Sequence, residues 1–206
     1  MRMYRLLNLY KLPYDPSQPV VCMDEKSKQL LGDTRKPIAA KPGSPEKYDY
    51  EYKRKGTCNI FMAVEPKAGK RFVEVTNTRT KADFAYFIEQ LVKRFSKAAF
   101  IQLVLDNLNT HFETSLLETF GKVKTKKLMK KVRFIYTAKH ASWLNMAEIE
   151  INIMDRQCTG GRIESKDKLK DNVQQWAKRR NKDKATIEWK FTRQDADKKL
   201  SKHYVS

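Results

Sequence analysis

Three acidic residues lie where a folded chain could bring them together. Asp24 follows the compact apolar run 20–23, and Asp106 follows a second apolar run, 100–105. Glu148 falls in the first turns of a predicted helix. In a sheet flanked by helices, strands end at the crevice where ligands bind. We therefore expect Asp24 and Asp106 to lie side by side, with Glu148 on a neighbouring helix.

Such a cluster of carboxylates would suit a divalent cation. Close carboxylates raise one another's pKa unless a cation neutralises them. Mg²⁺ prefers a few carboxylates together with water and phosphate oxygens. Two such ions about 3.5–4 Å apart can activate a water or a 3′-hydroxyl at a phosphodiester. The alternative is that these residues are ordinary surface acids or turn-capping aspartates, and the pattern by itself leaves both interpretations open.

Glu148 and Glu150 compete for the third position of the cluster. Each residue turns an α-helix by about 100°, so Glu148 shares a polar face with Asn152 and Asp155. Glu150 points about 200° away from Glu148, toward a more apolar side. We therefore predict that Glu148, and not Glu150, faces the two aspartates.

The composition indicates a polyanionic partner. The 206 residues include 43 Lys and Arg against 24 Asp and Glu, a formal net charge of +19. So basic a surface attracts phosphate backbones, although a protein that is merely lysine-rich would have the same composition. The chain has no run of ~18 apolar residues and no signal-peptide core, which argues against membrane and secreted classes. Its 40% hydrophobic content argues against wholesale disorder.

The three cysteines suit a reducing compartment. Cys22, Cys58 and Cys158 are far apart, with neither zinc-binding pairs nor a disulfide framework. We expect each of them to be a small buried hydrophobic side chain.

Five apolar segments are predicted to be strands. They are residues 20–23, 59–64, 71–75, 100–105 and 132–136. Pro66 and Gly69 suit a hairpin between the second and third of these strands. Tyr48, Tyr50 and Tyr52 alternate within a proline-rich, basic stretch, which favours a strand edge over a nucleic-acid surface.

The clearest helix pattern covers residues 80–95. Its apolar residues recur on one face, and Thr80 and Asp83 form a capping box. Further helices are predicted at the N-terminus before Pro13, over 112–120 and over 144–158, with a basic stretch at 121–131. The tail predicts a helix, a strand that alternates Ile187, Trp189 and Phe191, and a final helix. This order predicts the α/β class, with a mixed sheet flanked by helices.

Several residues near the acids have less specific patterns. Asn107 could orient a water or a phosphate, or serve a turn. His111 and His140 are more typical of hydrogen-bonded structural histidines than of catalytic ones. Glu25 is expected to be solvated or to support its neighbours. Trp143 is expected to anchor a helix start in the core, with base stacking as the alternative.

Three segments closely resemble the DDE transposases of bacterial insertion sequences in the mariner superfamily. They are Val21–Lys26, Leu103–His111 and Lys139–Glu148. Shorter stretches look like the same family, namely residues 49–52, 61–62, 78–81, 83–84 and 189–192. Any one motif would be weak, but their order along nearly the whole chain is specific.

The resemblance implies a ribonuclease H-like fold and divalent-metal cleavage and transfer of DNA strands. Carried over by position, the catalytic and metal-binding triad is Asp24, Asp106 and Glu148. The implied cofactor is Mg²⁺, with Mn²⁺ as a substitute. Residues 1–160 would form the catalytic domain and residues 161–206 an extension packed on it.

The implied partners are the DNA of the transposon ends and of the target. A homodimer assembled on DNA is expected, and no membrane is involved. The implied location is the bacterial cytoplasm, in association with the nucleoid.

Two departures from the family pattern bear on activity. Only 23 residues precede Asp24, so the helix-turn-helix region usual in the family is expected to be missing or supplied by a separate polypeptide. Ala138 and Ala141 stand where the family often has Pro and Gly, which alters the turn before Glu148. One rival function is a catalytically silent fragment that binds DNA or inhibits a transposase. The other is a ribonuclease H-like nuclease without strand transfer.

Overall fold

Five strands form one mixed sheet in the computed structural model, which describes residues 2–138 and 141–204, with side chains through residue 199. The strands are β1 (Val20–Asp33), β2 (Tyr52–Glu65), β3 (Lys70–Thr76), β4 (Ile101–Leu105) and β5 (Val132–Tyr136). Their order in the sheet is β3-β2-β1-β4-β5. β1, β2 and β3 are antiparallel neighbours, whereas β4 pairs in parallel with both β1 and β5. The predicted mixed sheet is therefore confirmed.

Helices cover the sheet and precede, separate and follow its strands along the chain. They are α1 (Arg2–Lys11), α2 (Lys81–Arg94), α3 (Glu113–Met129), α4 (Met146–Met154), α5 (Lys166–Lys182) and α6 (Arg193–Tyr204). A 3₁₀ turn, Ser142–Leu144, precedes α4, and a π-helical turn, Asp155–Thr159, continues it. Within the described part of the chain, no helix combines the length and apolar character needed to cross a membrane.

The two faces of the sheet bury different helices. Val21 and Met23 of β1 pack in one cluster with Phe84 of α2. Cys22, on the opposite face, packs with residues of α1 and α4, including Ala147. This division follows from the alternation of side chains along a strand. Each fully buried Phe, Leu or Met contributes roughly 1.5–3 kcal/mol relative to exposure.

The predicted helix at 80–95 is confirmed, together with its capping box. Thr80 Oγ1 accepts from the Asp83 backbone N–H, and the Asp83 carboxylate accepts from the Thr80 N–H. Phe84, Phe87 and Leu91 are buried, as their spacing predicts.

The first strand is much longer than predicted, so Asp24 lies within it rather than at its end. The parallel pairing with β4 stops at Cys22, but the antiparallel pairing with β2 continues to Asp33. The polar second half of β1 is stabilised by this hairpin, although its sequence lacks the apolar run on which the prediction rested.

The tyrosine stretch is a loop, contrary to the predicted strand edge. Tyr48 and Tyr50 are exposed outside the sheet, and β2 begins only at Tyr52. Arg162 holds the stretch by donating to the backbone carbonyls of Asp49, Tyr50 and Glu51. The polar backbone groups are thus satisfied by a side chain instead of a neighbouring strand.

The basic stretch 121–131 is mostly helical, because α3 continues through it. Gly121 has φ 74° and ψ 171° and forms a kink in the helix. Only a residue without Cβ adopts this conformation at low cost. Leu128, on the far side of the kink, is buried against the sheet.

The predicted C-terminal strand is an extended segment that does not join the sheet. Ile187, Trp189 and Phe191 are part-buried, and the residues between them are exposed. Their alternation reflects packing of one side on the cluster with α1 and α4. The predicted last helix is confirmed, and Thr192 and Asp195 form its capping box.

Candidate active site

The register of β1 and β4 sets Asp24 level with Asp106. Cys22 pairs with Val104, and each aspartate stands two residues further along its strand direction. Residues two apart share a face of the sheet, so both carboxyl groups belong to the face that carries α4.

The start of α4 is tied to the strand that carries Asp24. Asn145 caps the helix by accepting from the Ala147 N–H, and its Nδ2 donates to the carbonyl of Met23 at 2.8 Å. Asn145 is buried, and Glu148 follows in the first turn of α4. The sequence reasoning missed Asn145, although an Asn before a helical segment is a typical N-cap signal.

The pKa of Asp24 responds to the other acids of the candidate site. Burial raises the pKa of Asp24 to about 7, and the charges of Asp106, Glu25 and Glu148 act in the same direction. The Glu25 N–H, which donates to Asp24 Oδ1 at 2.8 Å, acts against this rise. Asp24 therefore lies within electrostatic range of both Asp106 and Glu148, the other two residues predicted from the sequence.

The pKa of Asp106 is shifted in the opposite direction from that of Asp24. Burial would raise its pKa, but hydrogen bonds from His111 and the Leu108 N–H lower it below the ordinary value, as do the charges of His111 and Arg79. Both bonds end on Oδ1, at 2.6 Å from His111 Nδ1 and 3.0 Å from the Leu108 nitrogen. Asp106 is thus held ionised, with Oδ1 occupied.

The chemistry of these donors fits a hard divalent cation. All three side chains offer carboxylate oxygens, and Asp24 carries a raised pKa that a nearby cation would reverse. Over residues 2–138 and 141–199, no three His, Cys, Asp or Glu side chains are grouped closely enough to coordinate an ion. Coordination therefore requires side-chain adjustment around the cation.

Glu150 points away from the site, as the helical geometry predicts. Its carboxylate is buried and accepts from Arg71 Nε at 2.7 Å and Arg180 Nε at 2.5 Å. Glu148 remains half-buried on the side of Asp24.

His111 and Glu25 form a buried pair next to Asp106, which their sequence patterns did not indicate. The His111 side chain is 0% exposed, and its Nε2 lies 2.9 Å from Glu25 Oε2. The Glu25 side chain is only 2% exposed, so of the two expectations for Glu25 the solvated one is wrong and the supporting one agrees with this contact. Burial would lower the pKa of His111, but the hydrogen bond to Asp106 and the charges of Asp106 and Glu25 raise it to about 9. His140 lies outside the described residues.

Asn107 and Trp143 also have defined surroundings. Asn107 donates to the carbonyl of Thr137 and accepts from Arg2, so it joins α1 to the end of β5. Trp143 is 41% exposed and does not enter the core as expected. It stacks at 6.4 Å on Trp189, on the C-terminal extended segment.

The cysteines are free, as expected. Cys22 and Cys58 are buried, whereas Cys158 is half-buried. Burial raises the pKa of the Cys22 thiol to about 12, so this thiol is unreactive.

Two solved structures share this fold. The chain aligns with the Mos1 mariner paired end complex with Mn at a TM-score of 0.59 and 16% identity, over 88% of this chain and 54% of that one. It aligns with the Mos1 Strand Transfer Complex at a TM-score of 0.57 and 16% identity, over 86% and 53%. The chain thus spans about half the length of these proteins. The likeness confirms the ribonuclease H-like fold expected from the sequence.

A family model gives the second comparison. The model described as DDE superfamily endonuclease matches residues 19–170, a range that includes Asp24, Asp106 and Glu148. No curated protein matches the sequence significantly. The extent of the family match shows that the chain belongs to the DDE superfamily endonucleases.

Proposed function

We propose that this chain is the catalytic domain of a mariner-superfamily transposase from a bacterial insertion sequence. It would cut DNA at the ends of the element and join the freed ends to target DNA. The observation that carries this proposal is that the charges of Asp106 and Glu148 both act on Asp24, within a region that matches an endonuclease family.

Asp24, Asp106 and Glu148 are proposed as the catalytic residues and as the ligands of Mg²⁺ or, as a substitute, Mn²⁺. When bound, such ions supply activation of a water or a 3′-hydroxyl and stabilise the leaving oxygen. The contribution of this chain is to orient the ligands. Oδ1 of Asp106 is fixed by two hydrogen bonds, and Asn145 fixes the turn that carries Glu148.

The proposed partner is DNA, both the transposon ends and the target. The net charge of +19 supports it, as does the likeness to a paired end complex and a strand transfer complex. Lys and Arg side chains would hold the phosphates without reading sequence. We propose a homodimer assembled on DNA.

The proposed domain division keeps residues 1–160 as the catalytic domain and 161–206 as an extension packed on it. Leu169, Val173 and Trp176 of α5 pack with Ile60 and Met62 of β2, which supports the second part. The proposed location is the bacterial cytoplasm, in association with the nucleoid.

A catalytically silent fragment that binds DNA or inhibits a transposase is the second candidate. It is favoured by the absence, among the described residues, of three ligand side chains already grouped around a cation position. A nuclease that cleaves without joining is a further alternative.

Cleavage of defined DNA distinguishes these functions. We expect the protein with Mg²⁺ or Mn²⁺ to cut a duplex that carries the repeats flanking its coding region. Asp106→Asn should abolish cutting and retain binding, because it removes a ligand charge from the cation site. The matched control is Asp167→Asn, which changes an exposed aspartate on α5 and should leave cutting unchanged.

Three other outcomes have distinct meanings. Binding without metal-dependent cutting by the unaltered protein would identify the silent fragment. Cutting without joined products would identify a nuclease. Full cutting by Asp106→Asn would remove the proposed triad from the reaction.

A further inference from the structure

A buried acid–base pair lies directly behind Asp106. His111 Nδ1 is 2.6 Å from Asp106 Oδ1, and His111 Nε2 is 2.9 Å from Glu25 Oε2. The imidazole and the Glu25 carboxyl group are almost fully buried, whereas the Asp106 side chain is 32% exposed. The pair therefore connects the sheet interior to an acid that reaches solvent.

The pair approaches Asp106 from the opposite face of the sheet. Val21 and Met23 of β1 pack against α2, and Glu25 belongs to the same side by strand alternation. Asp24, one residue earlier, faces α4. Glu25 and His111 thus occupy no space on the face where the three carboxylates converge.

The imidazole is held firmly from several directions. Phe84 of α2 lies against the ring, with 5.0 Å between centroids. The backbone of His111 is also fixed. Its N–H donates to the carbonyl of Leu108, and its carbonyl accepts from Tyr136 Oη. A ring fixed in this way can fix the group to which it is bonded.

Structural stabilisation accounts poorly for Glu25. Neither of its carboxylate oxygens has a well-aligned hydrogen bond among the described residues, so its contact with His111 is an ion pair only. Burying a charged carboxylate without hydrogen bonds costs free energy even when a counter-charge is near. An arrangement with this cost calls for a role beyond packing.

We propose that Glu25 and His111 are positioning residues that orient Asp106 for the divalent cation. His111 and the Leu108 N–H occupy Oδ1, which leaves the other oxygen, Oδ2, for the cation. Glu25 fixes the imidazole from its other nitrogen. Partners that orient a metal ligand in this way commonly control affinity for the ion. This inference rests on the proposed function, because it requires Asp106 to be a metal ligand.

The test measures Mn²⁺ binding to the full chain without DNA, by the electron paramagnetic resonance signal of free Mn²⁺. His111→Gln places its amide nearer the position of Nε2 and loses the donor to Asp106. We expect it to lower Mn²⁺ affinity about 10–100-fold. His111→Asn places its amide near Nδ1, still donates to Asp106 and should keep the affinity within about threefold.

Two further variants separate positioning from folding. Glu25→Leu fills the same buried space without a counter-charge for His111 and should lower Mn²⁺ affinity about 10-fold. The control variant is Glu65→Gln, which changes another buried acid. Glu65 lies on β2 three residues after Met62, the partner of Asp24, and its change should leave Mn²⁺ affinity unchanged. Circular dichroism and thermal unfolding report whether each variant folds.

The outcomes separate this inference from the proposed function. Equal Mn²⁺ affinity of the unaltered protein and folded His111→Gln would overturn the positioning role. If His111→Gln does not fold, unchanged affinity of Glu25→Leu would overturn it. A protein that binds no Mn²⁺ would overturn the inference and the proposed function together. Mn²⁺ binding lost in His111→Gln, in a protein that never cuts DNA, would support the positioning role and contradict only the transposase function.

Discussion

At the scale of single residues, Asp24 and Asp106 stand on neighbouring strands and have pKa values shifted in opposite directions. Burial and three neighbouring acids raise the pKa of Asp24 to about 7. Asp106 has a lowered pKa because His111 and a backbone N–H donate to it. Such a divergence between neighbouring groups is typical of functional sites. It means that without a cation Asp24 is about half protonated at pH 7, whereas Asp106 is ionised.

The raised pKa of Asp24 makes the metal-free protein less stable as the pH rises. The unfolded chain releases this proton near the ordinary value of 3.8, whereas the folded protein keeps it to about pH 7. The free energy of unfolding should therefore fall through this group between about pH 4 and pH 7, by on the order of 3 kcal/mol.

Asp24→Asn removes this titration. Its stability advantage over the unaltered protein should grow from pH 4 to pH 8, as measured by urea unfolding with a chelator present. A difference in stability that does not change with pH would show that Asp24 titrates normally in the folded protein.

At the scale of elements, a buried ion-pair network joins the helix of the site to the rest of the fold. Glu150 of α4 accepts from Arg71 of β3 and Arg180 of α5. Arg71 also donates to the carbonyl of Ala185. The network fixes the position of α4 and, through it, the turn that carries Glu148.

Removing the buried carboxylate should destabilise the protein strongly. Glu150→Gln leaves the Arg71 guanidinium buried without its counter-charge, and we expect a loss of about 3 kcal/mol in the free energy of unfolding. Glu148→Gln, the same change two residues earlier, is the matched control. It should alter stability by less than about 1 kcal/mol but abolish DNA cutting.

Chemical unfolding at pH 7 measures both losses of stability. Equal stability of the two variants would show that the network does not support α4. If only Glu150→Gln lost DNA cutting, the catalytic role proposed for Glu148 would be contradicted.

At the scale of the whole molecule, net charge dominates the expected encounter with DNA. The charge of +19 acts over distances set by salt screening. Binding through phosphates alone is weak at physiological salt and insensitive to sequence. This chain by itself is therefore expected to bind DNA without strong preference for one sequence.

The affinity for duplex DNA should fall steeply with salt. If about six phosphates are contacted, affinity falls by about 10³-fold between 50 and 200 mM salt. Fluorescence anisotropy with labelled duplexes measures this slope, and a flanking-repeat duplex and an unrelated duplex should give similar values. A flat salt response, or a large preference for the repeats, would contradict binding by charge alone.

The sequence predicted those elements whose signals are local. The capping box of Thr80 and Asp83 and the apolar face that follows it determine α2, because helix caps and periodicity act within a few residues. The opposite directions of Glu148 and Glu150 followed from helix geometry alone. The order of apolar segments was sufficient to predict a mixed sheet with helices on its faces.

Only the tertiary structure decided features that depend on distant partners. The strand beyond Asp24 exists because β2 pairs with it, whereas the segment containing Trp189 is extended but pairs with no strand of the described residues. His111 contacts both Asp106 and Glu25. The spacing of these three residues in the sequence did not predict that they would meet. The sequence by itself thus determines helix caps and the apolar faces of helices, because these depend on residues close together in the chain. Hydrogen-bond partners and burial are decided by the tertiary structure, because they depend on remote segments that meet only on folding.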